Sequence, residues 1–187
     1  MTMTVTDNAK AADARIYVAC LAAYNGGRLH GAWISAEQDA DAIQADVDAM
    51  LKASPEPDAE EWAIHDYEGF HGMRIEESDS FETVAELAEV LAEHGAAYAA
   101  YADNIGRDYA TPGGFEESYW GEHESEREFG WHFVNEMGLL DAPKPEPYGH
   151  ATLIAHFDID SYTRDLFMDG FSSHENPEGG IFVFADY

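Results

Sequence analysis

Between Ser80 and Gly95 the chain sets a condition that the rest of its surface has to share. Ser80 is a helix-capping residue and Gly95 a helix-ending one. Between them Phe81, Val84, Leu87, Ala88 and Leu91 recur at helical spacing as one apolar stripe. Glu82, Glu86, Glu89 and Glu93 fall on another face, at steps of four, three and four, with no lysine or arginine among them. A surface helix usually alternates sign, because glutamate four residues ahead of lysine stabilises it and like charges at that spacing repel. A helix that forgoes this pairing folds only with its stripe buried and its carboxylates in water.

The same choice recurs along the chain. Nine Lys plus Arg stand against 38 Asp plus Glu, a net charge of −29 with histidines neutral. Residues 1–36 sum to +1, 37–68 to −10, 69–110 to −7, 111–141 to −7 and 142–187 to −6, so the acid is spread over the length and is not a tail. Such a surplus opposes compaction by self-repulsion. It also repels nucleic acid and anionic membranes, which excludes direct DNA binding. Ten Phe, ten Tyr and four Trp nevertheless argue for a cored fold, since a disordered acidic segment is poor in aromatics. The 187 residues suffice for one large domain or two to three small ones. No apolar run approaches the ~18 residues of a membrane span, and residues 1–14 lack the apolar core of a secretory signal. The single cysteine, Cys20, rules out an internal disulfide and fits a reducing cytoplasm.

In chain order, residues 1–14 read as a polar tail. Arg15 to Leu21 is rich in β formers, Asn25-Gly26-Gly27 is a turn signal, and Leu29 to Ile34 reads as the hairpin partner. Ser35-Ala-Glu-Gln38 is a capping-box pattern opening a helix to about Ala53, with Ile43, Val47, Met50 and Leu51 inward. Ser54-Pro-Glu-Pro57 stops it. Trp62 to Tyr67 reads as a third strand, and Arg74 to Ser78 as an extension of the sheet. After the acidic helix, Tyr98, Tyr101, Ala102 and Ile105 indicate a short helix ending near Gly106. Thr111-Pro-Gly-Gly114 is the clearest breaker, and Phe115 to Trp120 reads as a strand. Ser125-Glu-Arg-Glu128 is a second capping box, followed by an apolar face of Phe129, Phe133, Met137 and Leu140. Pro143 to Pro147 is a stiff connector. Leu153 to Asp165 reads as helical, Leu166 to Phe171 and Ile181 to Tyr187 as strands, and Ser172 to Gly180 as the loop between them.

Catalytic and metal patterns are weak. With 38 acids, close carboxylate pairs arise by chance, so a glycosidase-type pair is not indicated. His150 and His156 are six apart and His123 and His132 nine apart, neither a ligand spacing on one helix face. The Asp-x-Asp pairs at Asp39/Asp41, Asp46/Asp48 and Asp158/Asp160 do not continue into an EF-hand loop. Nucleophile-elbow, phosphate-loop and dinucleotide-binding glycine patterns are absent. Ser172 and Ser173 beside His174 read as loop residues, and Trp33, Trp62, Tyr67 and Phe129 as core. No enzyme, cofactor or metal is expected.

Three readings account for the acid: a salt-adapted surface, a generic acidic interaction module, or a stand-in for a polyanion competing for a basic groove that holds DNA. The acidic helix puts four carboxylates over 11 residues, roughly 16 Å at ~1.5 Å per residue, or one per ~5 Å. Duplex DNA carries a phosphate per ~3.4 Å on each strand. One helix is too sparse, whereas several acidic faces together approach the density. Two copies at −29 each carry −58, the charge of roughly 29 base pairs spanning ~100 Å. Mimicry therefore calls for an elongated assembly.

The residues also resemble a family. Tyr17-Val-Ala-Cys-Leu-Ala-Ala-Tyr-Asn-Gly-Gly-Arg-Leu-His-Gly-Ala-Trp33 is similar to the opening of the antirestriction protein ArdA family, and Glu61-Trp-Ala-Ile-His-Asp-Tyr-Glu68 to its next block. Phe115-Glu-Glu-Ser-Tyr-Trp-Gly-Glu122, Ser125-Glu-Arg-Glu-Phe129 and Glu136-Met-Gly-Leu-Leu140 resemble its later acidic segment. Tyr162-Thr-Arg-Asp-Leu166 and Ile181-Phe-Val-Phe-Ala-Asp-Tyr187 match its C-terminal pattern. The resemblance covers about residues 15 to 187. It implies a dimeric, elongated α+β protein of three small domains that mimics bent B-form DNA, occupies the DNA-binding groove of type I restriction–modification enzymes and protects incoming mobile DNA. On this reading the domains are a β-sheet with a helix over 15–79, a helical domain over 80–110 and an α+β domain over 111–187, after a tail at 1–14. The acidic surface expected to carry the activity comprises Glu37, Asp39, Asp41, Asp46, Asp48, Glu60, Glu61 and Asp66, then Glu82, Glu86, Glu89 and Glu93, then Glu116, Glu117, Glu122, Glu124, Glu126 and Glu128. The expected partners are the restriction enzyme and a second copy of the chain, without nucleic acid or membrane.

Overall fold

Two antiparallel three-stranded sheets, each backed by helices, organise the chain as a mixed α+β protein. The structure, a computed structural model, describes residues 14–141 and 155–186, and every statement of absence below concerns those residues. The chain divides into two compact units between Ala99 and Ala100.

In the first unit β1 (Arg15–Cys20) lies between β2 (Gly31–Ser35) and β3 (Trp62–Glu68). Alternation puts Ile16, Val18 and Cys20 of β1 fully inside. Helix α2 (Ala40–Lys52) covers them with Ile43, Val47, Met50 and Leu51, all buried as their spacing predicts. Its cap is Asp39, whose side chain accepts from the backbone N–H of Ala42, and not Ser35. Ser35 instead accepts from the N–H of Glu37 in a local turn, and an aspartate one residue before the first helical position outcompetes a serine four further back.

β2 is the antiparallel hairpin partner of β1, as expected, but a five-residue helix α1 (Leu21–Asn25) intervenes, because the Leu21 N–H is taken by the carbonyl of Glu61 and the chain continues by helical bonds such as Gly26 to Ala22. The partner strand consequently starts at Gly31, and Leu29 is left 91% exposed. Residues 74–78 are not a strand either. Only the Ile64 N–H reaches the Glu77 carbonyl, and the segment is held mainly by burial of Met73 and Ile75.

Helix α3 (Phe81–Ile105) begins at Ser80, whose hydroxyl accepts from the Thr83 N–H at 3.2 Å. Gly95 ends its first helical run, as expected, and a second run follows to Ile105. With φ of 57° and ψ of −143° Gly95 bends the chain between the two helical runs, a left-handed excursion that glycine makes without a Cβ clash. Phe81, Val84, Ala88 and Leu91 are buried, Leu87 is half-buried, and Phe81 stacks on Trp62 at 4.3 Å.

The second unit contains the end of α3, a 3-10 turn (Arg107–Tyr109), α4 (Pro112–Ser118), β4 (Tyr119–His123), α5 (Glu126–Glu136), α6 (Ile159–Asp169), β5 (Phe171–Glu175) and β6 (Ile181–Ala185). Its sheet order is β4-β6-β5. Thr111-Pro-Gly-Gly114 opens a helix where a strand through Phe115 to Trp120 was expected. Thr111 accepts from the Gly114 N–H and Pro112 sits in the first turn, where its missing donor costs nothing. The strand starts only at Tyr119. A second shift moves the expected strand at Leu166–Phe171 into α6, whose cap Asp158 accepts from the Ser161 N–H and whose helix runs to Asp169. Residues 172–175, expected in a loop, instead form β5 with Phe171, so Ser172, Ser173 and His174 are strand residues.

Aromatic rings fill this core. Phe129 and Phe184 are fully buried, and Phe115, Tyr119 and Phe184 lie within 6.3 Å of one another. Helices α5 and α6 cross closely at Gly130, where an added Cβ would lie 2.0 Å from Thr163 Oγ1. Of the four aromatics expected in the core, Phe129 is buried and Trp62 and Tyr67 are half-buried, while Trp33 is 42% exposed on the edge strand under the Arg15 guanidinium. The connector at Pro143–Pro147 and the tail at 1–13 lie outside the described residues.

Candidate functional site

Glu82, Glu86, Glu89 and Glu93 line one side of α3 because the opposite stripe must be buried. All four are exposed, and so are the other fourteen acids of the expected surface. On α2 and its entry, Glu37, Asp39, Asp41, Asp46 and Asp48 surround the buried Ile43–Val47 stripe. Glu60, Glu61 and Asp66 flank and occupy the edge strand β3. In the second unit Glu116 and Glu117 ride on α4, Glu122 on β4, Glu124 in the following turn, and Glu126 and Glu128 in the first turn of α5. The helix N-terminus favours these last two through its dipole.

Five arginines pair with other carboxylates, while His94 lies 4.0 Å from Glu93 and His123 2.8 Å from Glu128. Arg15 pairs with Glu68, Arg28 with Glu56 at 2.7 Å, Arg74 with Glu76 at 2.9 Å, Arg127 with Asp160 at 2.7 Å and Arg164 with Asp165 at 3.8 Å. None of these five carboxylates belongs to the eighteen. Several of the eighteen instead hold neutral donors: Asp46 accepts from Gln38, Asp48 from Gln44 and Glu126 from Ser173. Such bonds orient a carboxylate without cancelling its charge.

Further exposed acids were not singled out by the sequence, among them Glu77, Asp103, Asp169, Glu175 and Glu178. Their one signal was the evenness of the charge along the chain. Titration is perturbed at Tyr119, Tyr101 and Asp158. Burial, and then Glu122, push the Tyr119 phenol up. Burial, and then Glu117, do the same to Tyr101. The backbone N–H of Ser161, followed by its hydroxyl, holds the exposed Asp158 carboxyl below its usual range. His123 and His132, set apart in the sequence, come together with ring centroids 5.2 Å apart.

Among the described residues no group of three or more His, Cys, Asp or Glu gathers to hold a metal ion, and no helix is long and apolar enough to cross a membrane. What the eighteen residues offer is therefore a field: many separate negative charges, kept exposed by the folding of α2, α3, α4 and the β4–α5 corner. Residues 16–177 match the family model described as antirestriction protein (ArdA). No curated protein matches the chain.

Proposed function

Because the chain belongs to the ArdA family of antirestriction proteins, we propose that it acts without catalysis, as a mimic of duplex DNA. Its carboxylates stand in for backbone phosphates and occupy the DNA-binding groove of a type I restriction–modification enzyme, so that incoming mobile DNA escapes cleavage. The observation that carries this reading is the exposure of all eighteen acids, spread over the elements of both units. An elongated homodimer working in the cytoplasm belongs to the same proposal, since one helix at a carboxylate per ~5 Å is too sparse alone.

Competition between this protein and a duplex for a purified type I enzyme tests it. The protein is expected to displace the duplex, and endonuclease assays should show cleavage falling in step. Amide replacement of one or two carboxylates on α2 or α3 should leave inhibition nearly unchanged, because a polyelectrolyte contact is shared. Replacement of eight or more should abolish it. A single such change that destroyed inhibition in a folded protein would instead point to a specific site and end the proposal. A surface adapted only to salt would unfold at low ionic strength and leave the enzyme untouched.

A further inference from the structure

The 38 acids stand about one residue in five along the chain, yet residues 14–36 hold none, the longest such gap in the sequence. The two arginines of that stretch are neutralised, Arg15 by Glu68 and Arg28 by Glu56. Within it lie Tyr24, Leu29 and Trp33, three of the eight large hydrophobic side chains exposed among the described residues. A single exposed leucine is ordinary on a protein surface. Three exposed apolar groups in the stretch from which acid is missing make a patch unlike the rest of the surface.

The first sheet builds this patch. Because Ile16, Val18 and Cys20 of β1 turn inward, Arg15, Tyr17 and Ala19 turn to the opposite face. Register sets Trp33 across from Tyr17, with ring centroids 5.6 Å apart, and Gly31 across from Ala19. Gly31 leaves the room that the Tyr17 ring takes, since a Cβ there would lie 2.8 Å from it. The Arg15 guanidinium stands 4.9 Å over the Trp33 ring. Tyr24, in α1, packs edge-on against His65, the residue that the bulge in β3 leaves unpaired. Leu29 stands where the chain enters β2, on a loop pinned to either side of it. The Arg28 N–H donates to the Ala23 carbonyl, the Cys20 N–H to the His30 carbonyl, and the His30 ring lies 2.8 Å from the Met50 carbonyl. A leucine 91% exposed on so fixed a loop is already ordered for a partner that covers it.

Carboxylates of the proposed mimic rim this face. Asp66 lies opposite Tyr17 in the register, and the Glu61 carbonyl takes the first N–H of α1. Glu37 follows β2 and accepts from the Ala14 N–H at 3.3 Å. An uncharged aromatic centre inside a charged rim is the anatomy of a protein–protein contact, in which Trp, Tyr and Arg carry a large share of the affinity. A basic groove that takes up the rim brings its own margin against the centre. The centre also supplies what the acids lack. At one carboxylate per ~5 Å against one phosphate per ~3.4 Å on each strand, charge alone leaves α3 behind the duplex it has to displace.

We propose that Leu29 and the Tyr17–Trp33 face form an apolar anchor for the restriction enzyme, seated on an apolar patch at the margin of its DNA groove while the surrounding carboxylates enter the groove. The identity of the partner rests on the mimicry reading.

The test measures association and dissociation of the full chain on the purified type I enzyme at about 50 and 200 mM salt. Leu29→Ala should dissociate roughly tenfold faster, as for truncation of an interface anchor, with an association rate within about twofold of the parent. Its affinity should fall with salt along a line parallel to the parent's, because no charge has been removed. Leu29→Asp separates the two kinds of contact by sign. If the face met basic surface, an added carboxylate would tighten binding; against an apolar patch it should bind more weakly than Leu29→Ala. Parent-like dissociation of both variants, or tighter binding of Leu29→Asp, overturns the anchor. So does a loss of particle mass in sedimentation of Leu29→Ala, which would put a second copy of the chain on the face. If either variant unfolds at a lower denaturant concentration than the parent, Tyr24→Ser takes its place in the same comparison, with the same outcomes. A parent that does not bind the enzyme sinks the mimicry reading and this anchor with it, whereas a binding parent with unaffected variants sinks the anchor alone.

Discussion

Tyr119 shows how far one side chain can bind the acid surface to the core. Its ring lies 4.8 Å from Phe115 and 5.5 Å from Phe184, while its hydroxyl feels Glu122. Burial first and that carboxylate second raise the phenol above its ordinary 10.0, and Tyr101 is raised in the same way by burial and Glu117. A raised value means that the folded protein holds the proton more tightly than the unfolded chain. The resulting stability is complete below pH 10.0 and is lost progressively as the pH climbs above it. Thermal melts should therefore fall more steeply above about pH 10 for the parent protein than for Tyr119→Phe, with no change of slope between them at neutral pH. Equal alkaline slopes would mean that the phenol is not desolvated as described. At this scale the sequence is a good guide to burial where periodicity speaks, as for Ile43, Val47, Val84 and Leu91. It is silent where packing is long-range. Nothing local distinguishes Trp33, on an edge strand, from Trp62, stacked on Phe81, or brings His123 to Glu128 and His132.

On the proposed mimicry, helix α3 sets stability against activity in its simplest form. Glu82 and Glu86, and Glu89 and Glu93, are exposed like-charge pairs at four-residue spacing, each unfavourable by a few tenths of a kcal/mol. Replacing Glu86 and Glu93 by lysine turns both into the favourable order, glutamate four residues ahead of lysine. The double variant should gain about 0.5–1 kcal/mol in denaturant unfolding, while its inhibition of the restriction enzyme weakens. A gain in both properties would show that this row is not part of the contact. Stability given up at such a site is expected where the charges serve a partner. The cap, stripe and acidic row of this helix were all legible, because each is a local pattern at fixed spacing. The elements that sequence placed wrongly share a different cause. Thr111-Pro-Gly-Gly114 contains the residues of a breaker and also the cap and first turn of α4, and only the burial of Phe115 and Ser118 decides between them. Leu166 and Phe167 suit a strand, but they follow a capped helix without a stop until Gly170. Propensity is weak there and continuation of the helix wins.

For the whole molecule the governing quantity is the density of charge. DNA holds one charge per ~1.7 Å of axis and with it a condensed layer of counterions, whose release makes binding to a basic groove steeply dependent on salt. The carboxylates on α3 are about threefold sparser than that, at one per ~5 Å. On the proposed mimicry, such a surface holds fewer condensed ions to release than a duplex does. Its affinity for the groove should fall with salt, because the field is still screened over ~10 Å at 0.1 M, but with a shallower slope than the duplex it displaces. Raising salt from about 50 to 200 mM should then weaken duplex binding by several decades and the protein's binding by less, so that less protein is needed to displace a given duplex at the higher salt. The same screening relaxes the self-repulsion of −29 charges within the fold, so the melting temperature should rise over that range while affinity falls. Displacement assays at the two salts and melts in the same buffers measure both trends. Binding to the enzyme that is indifferent to salt would leave the carboxylates without a part in it, whatever the stability does.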